Sequence, residues 1–261
     1  MGSGEIENPG KGSAGADASL RGDESRSGSE AGPGHLAVPA GSQHRSYLVS
    51  QNPEFRRASD GQPRPAVFLD RDGVINPTVL NPATGRMESP LSTADFSFFD
   101  GVLESLSILR DEGFPLILVS NQPNYALGKA TLNGLSAIHQ KFVYELVRSG
   151  IAFARFCYCL HHPRGVTPGY SGLCVCRKPS PWFLLRARDD FGYSLRDSWM
   201  IGDRPTDTQC GKAAGARTIR IEPEHGASDP VNPARALAAR PDHSVRDLAE
   251  AVDIILTRRS V

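Results

Sequence analysis

Ala66-Val67-Phe68-Leu69-Asp70-Arg71-Asp72-Gly73-Val74-Ile75-Asn76 is the stretch on which the reading of this chain turns. The apolar run 66–69, bounded by Pro65 and Gly73, predicts a short buried strand. In an open α/β sheet, ligands bind beyond the carboxyl ends of such strands. Asp70 and Asp72, one residue apart there, can share one metal ion and one phosphoryl group. In that chemistry Asp70 is the nucleophile and Asp72 the acid that protonates the leaving oxygen. Taken alone, the run also suits an Asx-rich turn, because Asp and Gly favour turns for conformational reasons of their own.

Outward from this stretch the chain alternates strand and helix. Strand-like runs fall at 66–69, 115–119, 153–159, 199–201 and 218–221. Helical spacing appears over 102–110 (Leu103, Leu106, Leu109) and over 132–147 (Leu132, Leu135, Ile138, Phe142, Leu146), and two further helices fit 181–190 and 206–214. Such alternation predicts an α/β fold, a Rossmann-like parallel sheet with helices on both faces. Residues 1–60 are rich in Gly, Ser, Ala and charged residues, with little to bury, and read as a disordered extension. The sheet domain then spans 61–225. Residues 226–261 read as a loop followed by a helix docked on the core, with Val245, Leu248, Val252 and Ile255 at helical spacing.

Composition limits the partners. Lys plus Arg and Asp plus Glu both number 29 over 261 residues, so the formal charge is zero. There is no global pull toward nucleic acid or an anionic membrane, and phosphate recognition has to be local. No stretch is apolar and long enough for a bilayer span, and the N-terminus lacks the pattern of a secretory signal. The expectation is a cytoplasmic, monomeric protein acting on a small molecule.

Further groups follow Asp70 in a set order. Ser120 closes the apolar run 116–119, Lys178 lies in Arg177-Lys178-Pro179, and Gly202-Asp203 closes Trp199-Met200-Ile201. This succession resembles the haloacid dehalogenase-like phosphatases from about residue 65 to 222. The resemblance implies Asp70 as nucleophile, Asp72 as acid/base, and Ser120 and Asn121 as donors to the phosphoryl oxygens. Lys178 would be a compact cation beside them. A catalytic Mg2+ would be held by the Asp70 carboxylate, the Asp72 backbone carbonyl and Asp203. Asp207 belongs to the same acidic motif, but it could equally orient Lys178 or cap the following helix. Gly128 and Lys129 could form an anion-friendly turn or leave a solvated lysine. Too little chain separates Asp70 from Ser120 for a cap domain, which makes the fold a capless one with loop 77–99 shaping the pocket.

Cys159-Leu160-His161-His162-Pro163 and Cys174-Val175-Cys176-Arg177-Lys178-Pro179 form a second motif. Cys-x-His with Cys-x-Cys can supply the soft tetrahedral set that zinc prefers, in a closed structural site. Buried reduced cysteines are the plainer alternative, and Cys157 is a rival ligand. The pattern is similar to that of the D-glycero-D-manno-heptose 1,7-bisphosphate phosphatases, which implies structural Zn2+ on Cys159, His161, Cys174 and Cys176. His162 then lies behind the ligands or at the surface. Clamping these cysteines would place Lys178 at the phosphoryl group and Arg177, a planar fork, on a second anionic group of the substrate. The implied reaction is removal of the C7 phosphate of a heptose 1,7-bisphosphate, a precursor of surface carbohydrate, through an aspartyl-phosphate.

Histidinol-phosphate phosphatases carry a similar loop and remain an alternative, as does a catalytically silent binding module. The heptose group typically reads Asn-Gln-Ser-Gly-Ile-Ala-Arg-Gly where this chain has Asn121-Gln122-Pro123-Asn124-Tyr125-Ala126-Leu127-Gly128. By the resemblance these residues would contact the leaving group, so related sugar phosphates stay open.

Overall fold

The computed structural model describes Met1, residues 47–51, Phe55, and residues 62–222 and 240–259. The chain divides into Met1–Glu30 and Ala31–Val261, and every element below lies in the second unit. At its centre is β2 (Val67–Leu69), paired in parallel with β5 (Leu116–Asn121) on one side and β7 (Trp199–Gly202) on the other. Beyond β5 lies β6 (Arg155–Cys159), and beyond β7 lie β8 (Arg217–Ile221) and β9 (His243–Val245), all in parallel. With β1 (Tyr47–Gln51) antiparallel on β6, the seven-stranded order is β1-β6-β5-β2-β7-β8-β9.

The central strands are apolar up to their carboxyl ends because both of their faces are covered. Val67, Leu69, Leu116 and Leu118 join one cluster, with Leu106 of α1 (Val102–Asp111), Phe142 of α2 (Leu132–Arg148) and Val252 of α5 (Leu248–Arg259). The alternate residues Phe68, Ile117, Val119 and Met200 join another, with Leu184 of α3 (Trp182–Phe191) and Cys210 of α4 (Pro205–Ala214). The period of two along each strand thus builds two separate cores. Among the described residues no helix is long and apolar enough to cross a membrane.

The structure departs from expectation in three places. Tyr47–Gln51 is a strand, running from Tyr47 opposite Cys159 to Gln51 opposite Arg155. The boundary at residue 60 is therefore too late. A composition averaged over sixty residues hides the β-forming run Tyr47-Leu48-Val49. The rest of the expected disorder lies outside the described residues, apart from Met1 and Phe55. At the other end, the helical run 244–256 divides: Val245 pairs with Ile221 in β9, and the helix begins at Leu248. The C-terminal segment thus extends the sheet as well as docking on it. Loop 77–99 contains a hairpin, β3 (Val79–Asn81) against β4 (Arg86–Glu88).

Candidate active site

Asp70 follows β2, and its backbone N–H donates to the Ile201 carbonyl at 2.9 Å, which ties it to the neighbouring strand end. Asp203 follows β7 and Asp207 lies in the first turn of α4. These elements bring one carboxylate oxygen from each of Asp70, Asp203 and Asp207 within 4.8 Å of one another. Gly73 makes the approach possible: its φ is +86°, and a Cβ there would stand 2.3 Å from Asp203 Oδ2.

Lys178, 2 % exposed, reaches into this group. Its Nζ lies 2.9 Å from Asp70 Oδ2 and 2.7 Å from Asp207 Oδ1, and donates to the Val119 carbonyl at 2.7 Å. Burial works against the ammonium charge, but Asp207 and Asp70 outweigh it and hold the Lys178 pKa above its ordinary value. Anionic charge still exceeds cationic. Burial, with the repulsion of Asp207 and Asp72, raises the Asp70 pKa against the pull of Lys178. Burial together with Asp70 and Asp207 pushes Asp203 up to about 7. Asp203 Oδ1 is buried and has no hydrogen-bond partner among the described residues. An oxygen-lined, anion-rich site with an unused carboxylate oxygen is chemically suited to a hard divalent cation.

Asp72 points into different company. Its Oδ1 accepts from Arg71 Nε at 3.1 Å, Arg71 Nη2 at 3.0 Å and Asn76 Nδ2 at 3.0 Å, and its Oδ2 accepts from Gln122 Nε2 at 2.6 Å. Burial would raise its pKa, but the Arg71 charge and hydrogen bonds from Ser89, Asn76 and Gln122 bring it below the ordinary value. Gln122 Nε2 also donates to Ser120 Oγ at 3.1 Å, which joins Ser120 to the same network. Sequence reasoning passed over Gln122, Asn76 and Ser89. Asn76 could have been found from its place in the opening motif and Gln122 from its spacing after Ser120. Ser89 carries no local signal, since it is the hairpin that delivers it.

Asn121, expected at the phosphoryl group, holds the Lys178 backbone with its side chain: Oδ1 accepts from Lys178 N at 3.1 Å and Nδ2 donates to Lys178 O at 3.2 Å. Asp207 does both of its alternative tasks, pairing with Lys178 and accepting from Arg204 N at 2.9 Å to cap α4. Arg177 is half-buried, and its Nη1 donates to the His161 carbonyl at 3.0 Å. Lys129 pairs with Glu88 at 2.5 Å and so pins the β3–β4 hairpin.

The second motif closes on itself. Cys159 Sγ is 3.7 Å from Cys174 Sγ and 3.3 Å from Cys176 Sγ, and Cys174 and Cys176 are 3.6 Å apart. His161 Nδ1 stands 3.8 Å from Cys159 Sγ and 3.5 Å from Cys176 Sγ. Tetrahedral ligands at about 2.3 Å from one ion stand about 3.8 Å apart, so the donor set and its spacing fit zinc. All five cysteines are free thiols. Cys157 is not in this group of four and packs in the second core instead. His162 is half-exposed, and its Nδ1 accepts from Arg164 N at 3.1 Å.

Comparison with known proteins agrees with this architecture. A family model described as HAD-hydrolase-like matches residues 175–251. The chain is 36% identical over 155 residues to a D-glycero-beta-D-manno-heptose-1,7-bisphosphate 7-phosphatase of Vibrio cholerae, covering 59% of this chain and 79% of the relative. An Escherichia coli K12 protein of the same name is 35% identical over 154 residues, covering 59% and 76%. A structure described as a HAD-like phosphatase, from Mesorhizobium loti, superposes with a TM-score of 0.65 at 24% identity, over 81% of this chain and 94% of that one. The D,D-heptose 1,7-bisphosphate phosphatase of B. bronchiseptica, in complex with magnesium and phosphate, gives 0.58 at 24% identity, over 74% and 99%. These two structures establish a shared fold.

Proposed function

This chain belongs to the haloacid dehalogenase-like phosphatases, in the heptose bisphosphate phosphatase group, and we propose that it removes the C7 phosphate of a heptose 1,7-bisphosphate through an aspartyl-phosphate on Asp70. The observation that carries the reading is the contact of Lys178 Nζ with both Asp70 and Asp207, beside the unused oxygen of Asp203. A nucleophilic carboxylate, a fixed ammonium and a place for a divalent cation then face one phosphoryl group.

In the first half-reaction an Asp70 oxygen bonds to phosphorus as the bond to the sugar oxygen breaks, and Asp72 gives that oxygen a proton. In the second half, Asp72 takes a proton from water, whose oxygen displaces Asp70 and releases inorganic phosphate. The lowered pKa of Asp72 suits the second half directly. For the first half, an incoming phosphate dianion raises its proton affinity by like-charge repulsion. Lys178 and the Ser120 hydroxyl hold the non-bridging oxygens, and Asn121 holds Lys178.

The donor set of Asp70, Asp203 and the Asp72 carbonyl fits Mg2+, which when bound supplies neutralisation of phosphoryl charge. Cys159, His161, Cys174 and Cys176 fit a structural Zn2+, which when bound would hold the loop that ends in Arg177 and Lys178. Arg177 is assigned to the second anionic group of the substrate. Thiols of this kind stay reduced in the cytoplasm, where we place the reaction.

The test compares turnover of heptose 1,7-bisphosphate and histidinol phosphate with Mg2+ present. Faster release from the heptose is expected, and faster release from histidinol phosphate overturns the substrate. No hydrolysis of either, or of other phosphorylated metabolites, means a silent binding module.

A further inference from the structure

Behind Asp72 the protein buries a line of polar groups that the reaction above leaves unused. Arg71 is 1 % exposed and stands among the largest fully buried side chains. Its guanidinium carbon lies 6.0 Å from the centre of the Phe96 ring and 5.9 Å from that of Tyr158. The Tyr158 hydroxyl stands 3.1 Å from Nδ1 of His139, itself 1 % exposed.

The chemistry gives this line a direction. Arginine only donates, so Tyr158 presents its ring to Arg71, the ring centre 5.9 Å from the guanidinium carbon, and keeps its phenolic proton for His139 Nδ1. A neutral imidazole accepting at Nδ1 carries its proton on Nε2, the atom with no hydrogen-bond partner among the described residues. Burial and the Arg71 charge keep His139 neutral by lowering its pKa to about 3. Packing alone would be served by an apolar side chain, since burying a guanidinium is costly unless its partners are well placed. Here the side chain faces Asp72, with two N–H groups on Oδ1. Toward Asp70 the residue offers only its backbone N–H, at 2.7 Å from Oδ1.

We propose that Arg71, braced by Tyr158 and His139, is a positioning residue that aims the Asp72 carboxyl at the leaving oxygen. The inference rests on the phosphatase reading and deepens it. Because the side chain serves Asp72 and leaves Asp70 alone, its loss impairs proton delivery while sparing attack on phosphorus. The consequence is a dependence on the leaving group. An alkyl phosphate needs a proton on its departing oxygen, whereas the p-nitrophenolate of p-nitrophenyl phosphate departs without one.

The experiment measures alcohol release in the first turnover, by rapid quench, for a sugar phosphate and for p-nitrophenyl phosphate. Wild type, Arg71→Met, Arg71→Lys and Tyr158→Phe are compared, with melting temperature as a check on folding. Arg71→Met is expected to slow release from the sugar phosphate about 100-fold and from the aryl phosphate less than about threefold. Arg71→Lys recovers part of the loss. Tyr158→Phe frees the ring from His139 and shows the same selectivity at about tenfold, the effect of one lost buried hydrogen bond. Should Arg71→Met fail to fold, Tyr158→Phe decides alone. Equal losses on both substrates, or no loss in either variant, overturn the inference. A wild-type protein that releases neither alcohol overturns the phosphatase reading together with it.

Discussion

Asp70 and Asp72 are separated by one residue on one turn, yet they live in opposite electrostatic surroundings. Asp70 faces Asp203 and Asp207 with Lys178 as its close cation, and its pKa is raised. Asp72 faces Arg71, Asn76 and Gln122, all donors, and its pKa is lowered. The cause is direction. Asp70 continues the line of β2 toward the ends of β7 and α4, while Asp72 turns back toward β5 and the hairpin. One side of the site is short of positive charge and is completed by what binds there. The other is satisfied by the protein itself. Carboxylates whose surroundings drive their proton affinities apart can divide nucleophilic and acid–base work between them.

Breaking the Asp70 side should have the largest effect. Asp70→Asn replaces the nucleophile with an amide, and kcat on the sugar phosphate should fall by about 10^4-fold or more. Retention of a tenth of the activity would refute a covalent intermediate. Lys178→Met leaves the carboxylates without their ammonium. It should cost about 10^3-fold in kcat and about 3 kcal/mol of stability, read from urea unfolding without Mg2+. Added Mg2+ should restore part of the stability, because the charge shortage is what the cation meets.

The thiol motif ends at Cys176, two positions before Lys178, so its loss tests the Asp70 side indirectly. Cys174→Ser should abolish zinc binding, lower the melting temperature and reduce kcat about tenfold. In the wild type, zinc should be found at one equivalent per chain and survive an EDTA treatment that strips Mg2+. Zinc that disappears in Cys157→Ser but persists in His161→Ala would replace the proposed ligand set.

The Asp72 side is sharpened by pH. His139 titrates at about 3 in the fold against an ordinary 6.5, so the folded protein refuses a proton that the unfolded chain takes up. Its contribution is complete above pH 6.5 and is lost as the pH falls from there toward 3. At pH 5 the loss is about 2 kcal/mol relative to pH 7. His139→Phe should flatten this slope, and urea midpoints at the two pH values check it.

Smallest of all should be the effect of the N-terminal segment. Removing residues 1–46 should leave kcat and KM within about twofold, as expected for change away from the site. A cut at residue 60 also removes β1 from the edge of β6, opposite Cys159, and should lower the melting temperature by a few degrees. A tenfold rise in KM after the shorter cut would show that the segment reaches the pocket.

What the amino-acid sequence determined by itself was whatever depends on near neighbours. A short apolar strand ending in Asp-x-Asp, a Cys-x-His and a Cys-x-Cys, and the alternation of strand and helix are all local patterns. Each survives in the structure with small shifts at its ends. Three things depended on tertiary structure. Asn121 turned to the Lys178 backbone because the cysteine loop lies alongside β5. Gln122 reached Asp72, fifty residues away, because β5 ends beside β2. His139 and Tyr158 met Arg71 because α2 packs on β6 behind the strand ends. The physical reason is range. Backbone propensity and burial periodicity act over a few residues and are written in their order, whereas a hydrogen bond between distant side chains exists only once the sheet has brought its strands together.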